Sequence, residues 1–67
     1  MSNYFEALDT VFVKRANGTE TLACVREVHW QYALPMATVT FREGETVKCE
    51  TTELSKLRLI ARESFTS

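Results

Sequence analysis

The stretch Asp9-Thr10-Val11-Phe12-Val13-Lys14-Arg15-Ala16-Asn17-Gly18-Thr19 decides the fold. Val11 and Val13 alternate with Phe12, which is typical of a strand that buries one face. Asn17-Gly18 is a strong hairpin signal, because both residues tolerate the positive φ angles of a type I′ turn. The stretch therefore predicts a β-hairpin whose first strand spans residues 9–15.

The return strand is predicted over residues 20–29. Its apolar spacing changes from two to three after Val25, which indicates a bulge near Arg26-Glu27. An apolar loop over residues 30–36 follows, since Pro35 cannot donate to a central strand ladder. The hairpin is thus predicted to extend into a larger antiparallel sheet.

A second hairpin is predicted from strands at residues 37–42 and 45–50, with Glu43-Gly44 as the turn. Residues 51–56 are too few for a stable α-helix and predict a single 3₁₀ turn. That turn leads into a last short strand at residues 57–60. The expected fold class is a five-stranded all-β domain.

The chain divides into three parts. Residues 1–8 are expected to form an N-terminal extension, either frayed or a short helical cap, and residues 9–61 form the domain. Residues 62–67 are expected to be a flexible tail. No composition shift, repeat or linker indicates a second domain.

Composition restricts the partners and the compartment. The chain has 67 residues and a formal net charge of −1, so no overall excess of positive charge draws it to nucleic acid or to an anionic membrane. Two cysteines, in different predicted strands, favour reduced thiols over a disulfide framework. We therefore expect a cytoplasmic or nuclear protein without a membrane partner.

Catalytic and metal chemistry have little support in the sequence. His29 is the single histidine, and neither cysteine lies in a C-x-x-C pair. A chain with only two glycines has no Gly-rich phosphate loop. We expect no enzyme activity, no catalytic residue, no metal and no cofactor.

Five residues are predicted to form a binding surface: Phe12, Arg15, Trp30, Tyr32 and Met36. Phe12 points away from the two core valines, and the other three apolar residues crowd one loop, where an exposed patch would mark a partner site. Arg15 adds charge beside the hairpin. The alternative, that the loop folds back as a lid over one end of the domain, has equal weight.

The order of four motifs resembles a Tudor or related SH3-like barrel across residues 9–61. They are V-x-V-K-R-A-N-G, A-C-V-R-E-V, V-T-F-R-E-G and T-E-L-S-K-L-R-L-I. The resemblance implies a small five-stranded SH3/Tudor-like barrel with a short 3₁₀ turn before the last strand. Tudor domains that bind methylated lysine carry an aromatic cage, whose positions here hold Arg15, Glu20, Thr21 and Glu43. Methyl-lysine binding is therefore not expected.

The first hairpin also resembles the small N-terminal domain of microtubule-depolymerising kinesins with an internal motor. The matching residues are Lys14, Arg15, Asn17, Gly18, Ala23 and Val25, together with E-G-E-T-V-K at residues 43–48. In that family the domain has no ATPase activity, so the resemblance implies localisation and protein contact within a larger motor. The apolar loop at residues 30–36 departs from the family pattern.

The leading hypothesis is a non-catalytic interaction or targeting module of a larger cytoskeletal or chromatin-associated protein, with another protein or peptide as its partner. One alternative is a nucleic-acid-binding barrel, with phosphate contacts from Lys14, Arg15, Arg26 and Lys48. A second alternative is a structural domain that self-associates into a homo-oligomer through the apolar loop.

Overall fold

The computed structural model describes residues 5–31 and 33–62, and over these residues the chain is all-β with one 3₁₀ turn and no α-helix. This confirms the predicted class and the number of strands. The elements are β1 (Thr10–Lys14), β2 (Glu20–His29), β3 (Met36–Glu43), β4 (Thr46–Glu53), the 3₁₀ turn (Leu54–Lys56) and β5 (Leu57–Ala61).

The strands form one antiparallel sheet in the order β4-β3-β2-β1-β5. The first four strands follow one another as a meander, and β5 returns to pair with β1. Strands β4 and β5 are the two edges, and no ladder joins them within the described part of the chain. The 3₁₀ turn carries the chain from one edge of the sheet to the other.

The first hairpin reverses at Asn17-Gly18 as predicted, but its turn is not type I′. Gly18 has φ 89°, whereas Asn17 has no positive φ. The Gly18 N–H donates to the Arg15 carbonyl over 3.0 Å and the Arg15 N–H donates to Thr19 O over 2.8 Å. This is a type I turn followed by a glycine bulge. Asn17 keeps a negative φ and uses its Oδ1 to accept the Thr19 N–H at 3.1 Å.

The β2 bulge is confirmed, since the pairing with β3 shifts between Val25 and Glu27. The second hairpin has a two-residue loop in which Gly44 takes φ 65°, as the first position of a type II′ turn requires. Strand β4 runs to Glu53, so the prediction of a 3₁₀ turn over residues 51–56 is wrong for its first half. Pairing of Ala37 with Thr52 continues the ladder there.

The core lies on one face of the sheet, and four valines are its most deeply buried large apolar side chains. Residues 5–8 contain a turn at residues 7–8, and Leu8 donates to Val25 O at 2.7 Å, which joins this segment to β2. The buried apolar residues are Phe5, Val11, Val13, Ala23, Val25, Ala37, Val39, Leu54 and Leu57, with Val28 and Phe41 packed against them. We call this side the core face and the opposite side the outer face.

Candidate binding surfaces

The structure separates the residues predicted to form one binding surface. Phe12 is half-buried on the outer face and pairs with Leu22, whereas Met36 pairs with His29 at the far end of β2. His29 lies seven residues after Leu22 in β2, which corresponds to about 23 Å along the strand. Arg15 follows β1 at the first hairpin. Tyr32 lies outside the described residues.

The apolar loop forms an open groove with β4, which we call the loop groove. Ala33, Leu34, Met36 and Thr51 line a cavity of about 590 Å³. The Leu54 N–H donates to the Pro35 carbonyl at 3.1 Å, so the end of the loop is fixed to the 3₁₀ turn.

Leu34 lines this groove, and Trp30 directly follows His29, which pairs with Met36. The exposed fractions of Trp30 and Leu34 are 52% and 58%, so neither side chain closes over the core as a lid. Sequence reasoning singled out Trp30 and Met36 but missed Leu34, although its place in an apolar loop next to Pro35 was an available signal. Large exposed apolar side chains beside a groove are typical of a docking surface.

A chain of polar side chains leads to the wall of the loop groove. His29 Nε2 lies 2.8 Å from Thr38 Oγ1, and Thr38 Oγ1 lies 3.2 Å from Thr51 Oγ1. Three neighbouring strands supply these residues, so the pleat alone brings them together on the outer face. The arrangement orients the Thr51 hydroxyl at a groove that is otherwise apolar.

Arg15 lies in a second cavity at the opposite face of β4, which we call the hairpin cavity. Its volume is about 590 Å³, and it is lined by Lys14, Arg15, Ala16, Glu50, Thr52, Ser55 and Lys56. Arg15 Nε donates to Thr21 Oγ1 at 3.0 Å and Nη1 donates to Glu50 Oε2 at 2.6 Å. The guanidinium carbon also lies 5.3 Å from the centre of the Phe41 ring. Arg15 is therefore held by three contacts from β2, β3 and β4.

Phe12, another residue of the predicted binding surface, lies under the ion pair between Arg58 and Glu20. The Arg58 guanidinium lies 5.0 Å from the centre of the Phe12 ring and donates two hydrogen bonds to Glu20, at 2.8 and 3.3 Å. These hydrogen bonds lower the pKa of Glu20 and raise that of Arg58. Neighbouring Leu22 stays exposed. Phe12 therefore presents less free ring surface than strand alternation alone suggests.

Asp9 is a buried carboxylate that anchors both ends of the domain. Its side chain is 1% exposed and accepts the Glu6 N–H at 2.8 Å and two Arg62 N–H groups at 2.9 Å. Burial raises its pKa, but the hydrogen bonds from Arg62 and Glu6 and the Arg62 charge outweigh burial, so the pKa of Asp9 is lowered. Arg62 is the first residue of the segment predicted to be a tail, and Asp9 connects it to the start of β1.

Cys24 and Cys49 are both free thiols. In the sheet, Cys24 of β2 and Cys49 of β4 lie opposite Thr40 on the two sides of β3. Two strand spacings, about 10 Å, separate them, which is too far for a disulfide. Within residues 5–31 and 33–62, no group of histidine, cysteine and carboxylate side chains is arranged to hold a metal ion. No helix in this part of the chain is long and apolar enough to cross a membrane.

Comparison of the chain with protein-family models, with curated proteins and with solved structures found no match.

Proposed function

We propose that this chain is a non-catalytic protein-interaction module that binds an extended segment of another protein through the loop groove. The observation that carries the proposal is the groove itself, an open cavity lined by Leu34 and Met36 with exposed Trp30 nearby. An apolar side chain of the partner would displace water from these residues, which is the main source of favourable free energy at such surfaces. The Thr51 hydroxyl would offer a hydrogen bond to the partner's backbone.

We further propose that the sheet curls into an SH3/Tudor-like barrel. The strand order, with β5 returning to β1 after a 3₁₀ turn, supports this arrangement. A second support is the ion pair between Arg15 and Glu50. In a flat sheet β1 and β4 lie three strand spacings apart, about 14 Å, so contact between their side chains requires strong curvature.

A protein partner fits the charges better than nucleic acid does. Of the four basic residues expected to contact phosphate, Arg15 is paired with Glu50 and Lys48 with Glu43, both at 2.6 Å. A nucleic-acid backbone would need several of these basic residues at once, so it would have to compete with both carboxylates. A role within a larger cytoskeletal or chromatin-associated protein, in the cytoplasm or nucleus, rests on the sequence resemblance alone.

The test is a selection of random short peptides displayed on phage against the immobilised chain. Selected peptides should share an apolar anchor residue and shift the backbone amide signals of residues 33, 34, 36 and 51 in NMR spectra. Leu34→Ser should weaken their binding by about tenfold or more. Leu22→Ser is the matched control, because Leu22 is 56% exposed and lies away from the groove.

Equal losses in the two leucine variants would contradict the proposal, as would peptides that shift only residues outside the groove. Sedimentation of the chain at two concentrations distinguishes self-association from binding of a different protein. A dimer that Leu34→Ser dissociates would show that the groove binds a second copy instead of a different protein.

A further inference from the structure

The hairpin cavity is a positive site in a chain whose overall charge is negative. Three basic residues and one acidic residue line it, although the whole protein has a formal net charge of −1. Two separate elements supply the basic residues, since Lys14 ends β1 and Lys56 ends the 3₁₀ turn. The local charge is therefore a product of the fold and is not visible as a run of charge in the sequence.

Arg15 is oriented in this cavity before any ligand arrives. Thr21 and Glu50 accept two of its five N–H groups, and the Phe41 ring supports the guanidinium plane. The other N–H groups make no hydrogen bond within the described residues. A fixed guanidinium with unused donors loses little conformational entropy when it binds an anion.

Lys56 adds charge without an ion-pair partner among the described residues. The Lys14 charge lies near Glu20, its partner across the first hairpin, whose pKa is lowered by the Arg58 hydrogen bonds and also by the Lys14 charge. The ion pairs of the described chain involve neither lysine. The hydroxyl of Ser55 donates to Glu53 at 3.2 Å and can still accept a hydrogen bond, while Thr52 supplies a second hydroxyl to the lining. The cavity thus presents ammonium, guanidinium and hydroxyl groups together.

We infer that the hairpin cavity binds carboxylate groups of an acidic peptide segment. Charge-assisted hydrogen bonds from Arg15 and attraction to the two lysines would hold one or two carboxylates. Glu50 in the lining and Glu53 beside it would repel the regular series of charges along a nucleic acid. A peptide can place its carboxylates singly and keep the rest of its chain away. This site is independent of the loop groove.

The experiment is an NMR titration of the full chain, at low and high salt, with a short peptide that carries two glutamates separated by glycines. The peptide should shift the amides of residues 14–16 and 52–56, and its affinity should fall as salt shortens the Debye length. Lys56→Ala should weaken binding by about threefold or more, and the double variant with Lys14→Ala by about tenfold or more. Lys48→Ala is the matched control, with the same charge change at a lysine that pairs with Glu43 outside the cavity.

Two further probes, inorganic phosphate and single-stranded RNA, test whether the cavity prefers another class of anionic ligand. Inorganic phosphate that shifts the same residues at the same concentration would overturn the peptide assignment in favour of a small-anion site. Tighter binding of single-stranded RNA would overturn it in favour of nucleic acid. Equal losses in Lys56→Ala and Lys48→Ala, or no shift with any probe, would remove the site. Leu34→Ser should bind the glutamate peptide as the unmodified chain does, so failure at the hairpin cavity is distinguishable from failure at the loop groove.

Discussion

Arg15 Nη1 lies 2.6 Å from Glu50 Oε2, although the two residues are 35 positions apart in the sequence. The ion pair joins the first hairpin to edge strand β4, which does not neighbour β1 in the sheet. Both side chains are less than one third exposed, so water screens the pair only partly. The contact holds the two ends of the meander together above Phe41.

Replacing Arg15 with alanine should lower the free energy of unfolding by about 1–2 kcal/mol, because Glu50 and Thr21 both lose a charged donor. Arg15→Lys should be intermediate, since lysine keeps the charge but not the planar group over Phe41. Urea unfolding measures both. Lys48→Ala, which breaks a more exposed ion pair, should cost clearly less. A loss in Lys48→Ala as large as that in Arg15→Ala would contradict this role.

Stability should fall in acid, partly through Asp9. The pKa of Asp9 is lower in the folded chain than its ordinary value of 3.8, so the unfolded chain binds the proton more tightly. The stabilisation is therefore complete above about pH 5 and is lost as the pH falls through the folded pKa. The lowered pKa values of Glu20 and Glu43 act in the same direction.

Unfolding by urea at a series of pH values between neutral and strongly acidic conditions measures this effect. Asp9→Asn should be less stable than the unmodified chain at neutral pH and should lose less stability in acid. Glu45→Gln is the control, because that carboxylate is exposed and takes part in none of the ion pairs of the described residues. An Asp9→Asn variant with the unmodified pH dependence would show that Asp9 does not carry the effect.

Strand alternation and turn chemistry were sufficient to predict most of the fold. Val11, Val13 and Val39 are buried because the pleat repeats every two residues, and the spacing around Val25 located the bulge. The local sequence did not predict the type of the first turn, because two turn conformations have about the same free energy there. Asn17 tolerates either sign of φ, so the sequence could not distinguish type I′ from type I with a glycine bulge.

The binding surfaces were less predictable, since they depend on contacts between distant segments. The Arg15 network and the meeting of Lys14 with Lys56 at one cavity arise only when the sheet curves. Thr51 reaches the loop groove because β4 pairs with β3 up to Glu53, beyond its predicted end. The sequence alone indicated the apolar character of the loop and the charge of Arg15 beside the hairpin.

Gly18→Ala should destabilise the chain by about 1–2 kcal/mol. Gly18 has φ 89°, which costs residues with a Cβ atom roughly that amount, while the added methyl would meet no atom within 4 Å. The cost is therefore backbone strain and not a clash. Gly18→Asn should lose less, because asparagine enters this region more readily. Thermal unfolding checks both variants, and an alanine variant as stable as the unmodified chain would refute the assigned turn.

Two valines on opposite faces of the sheet test the assignment of the core. Val39 is fully buried, whereas Val47 is 61% exposed on the outer face of β4. Val39→Ala removes buried apolar surface and leaves a cavity, so it should cost about 2–3 kcal/mol. Val47→Ala should change the free energy of unfolding by about 0.5 kcal/mol or less. Urea unfolding followed by Trp30 fluorescence compares them, and losses of equal size would mean that the sheet does not bury the face containing Val39.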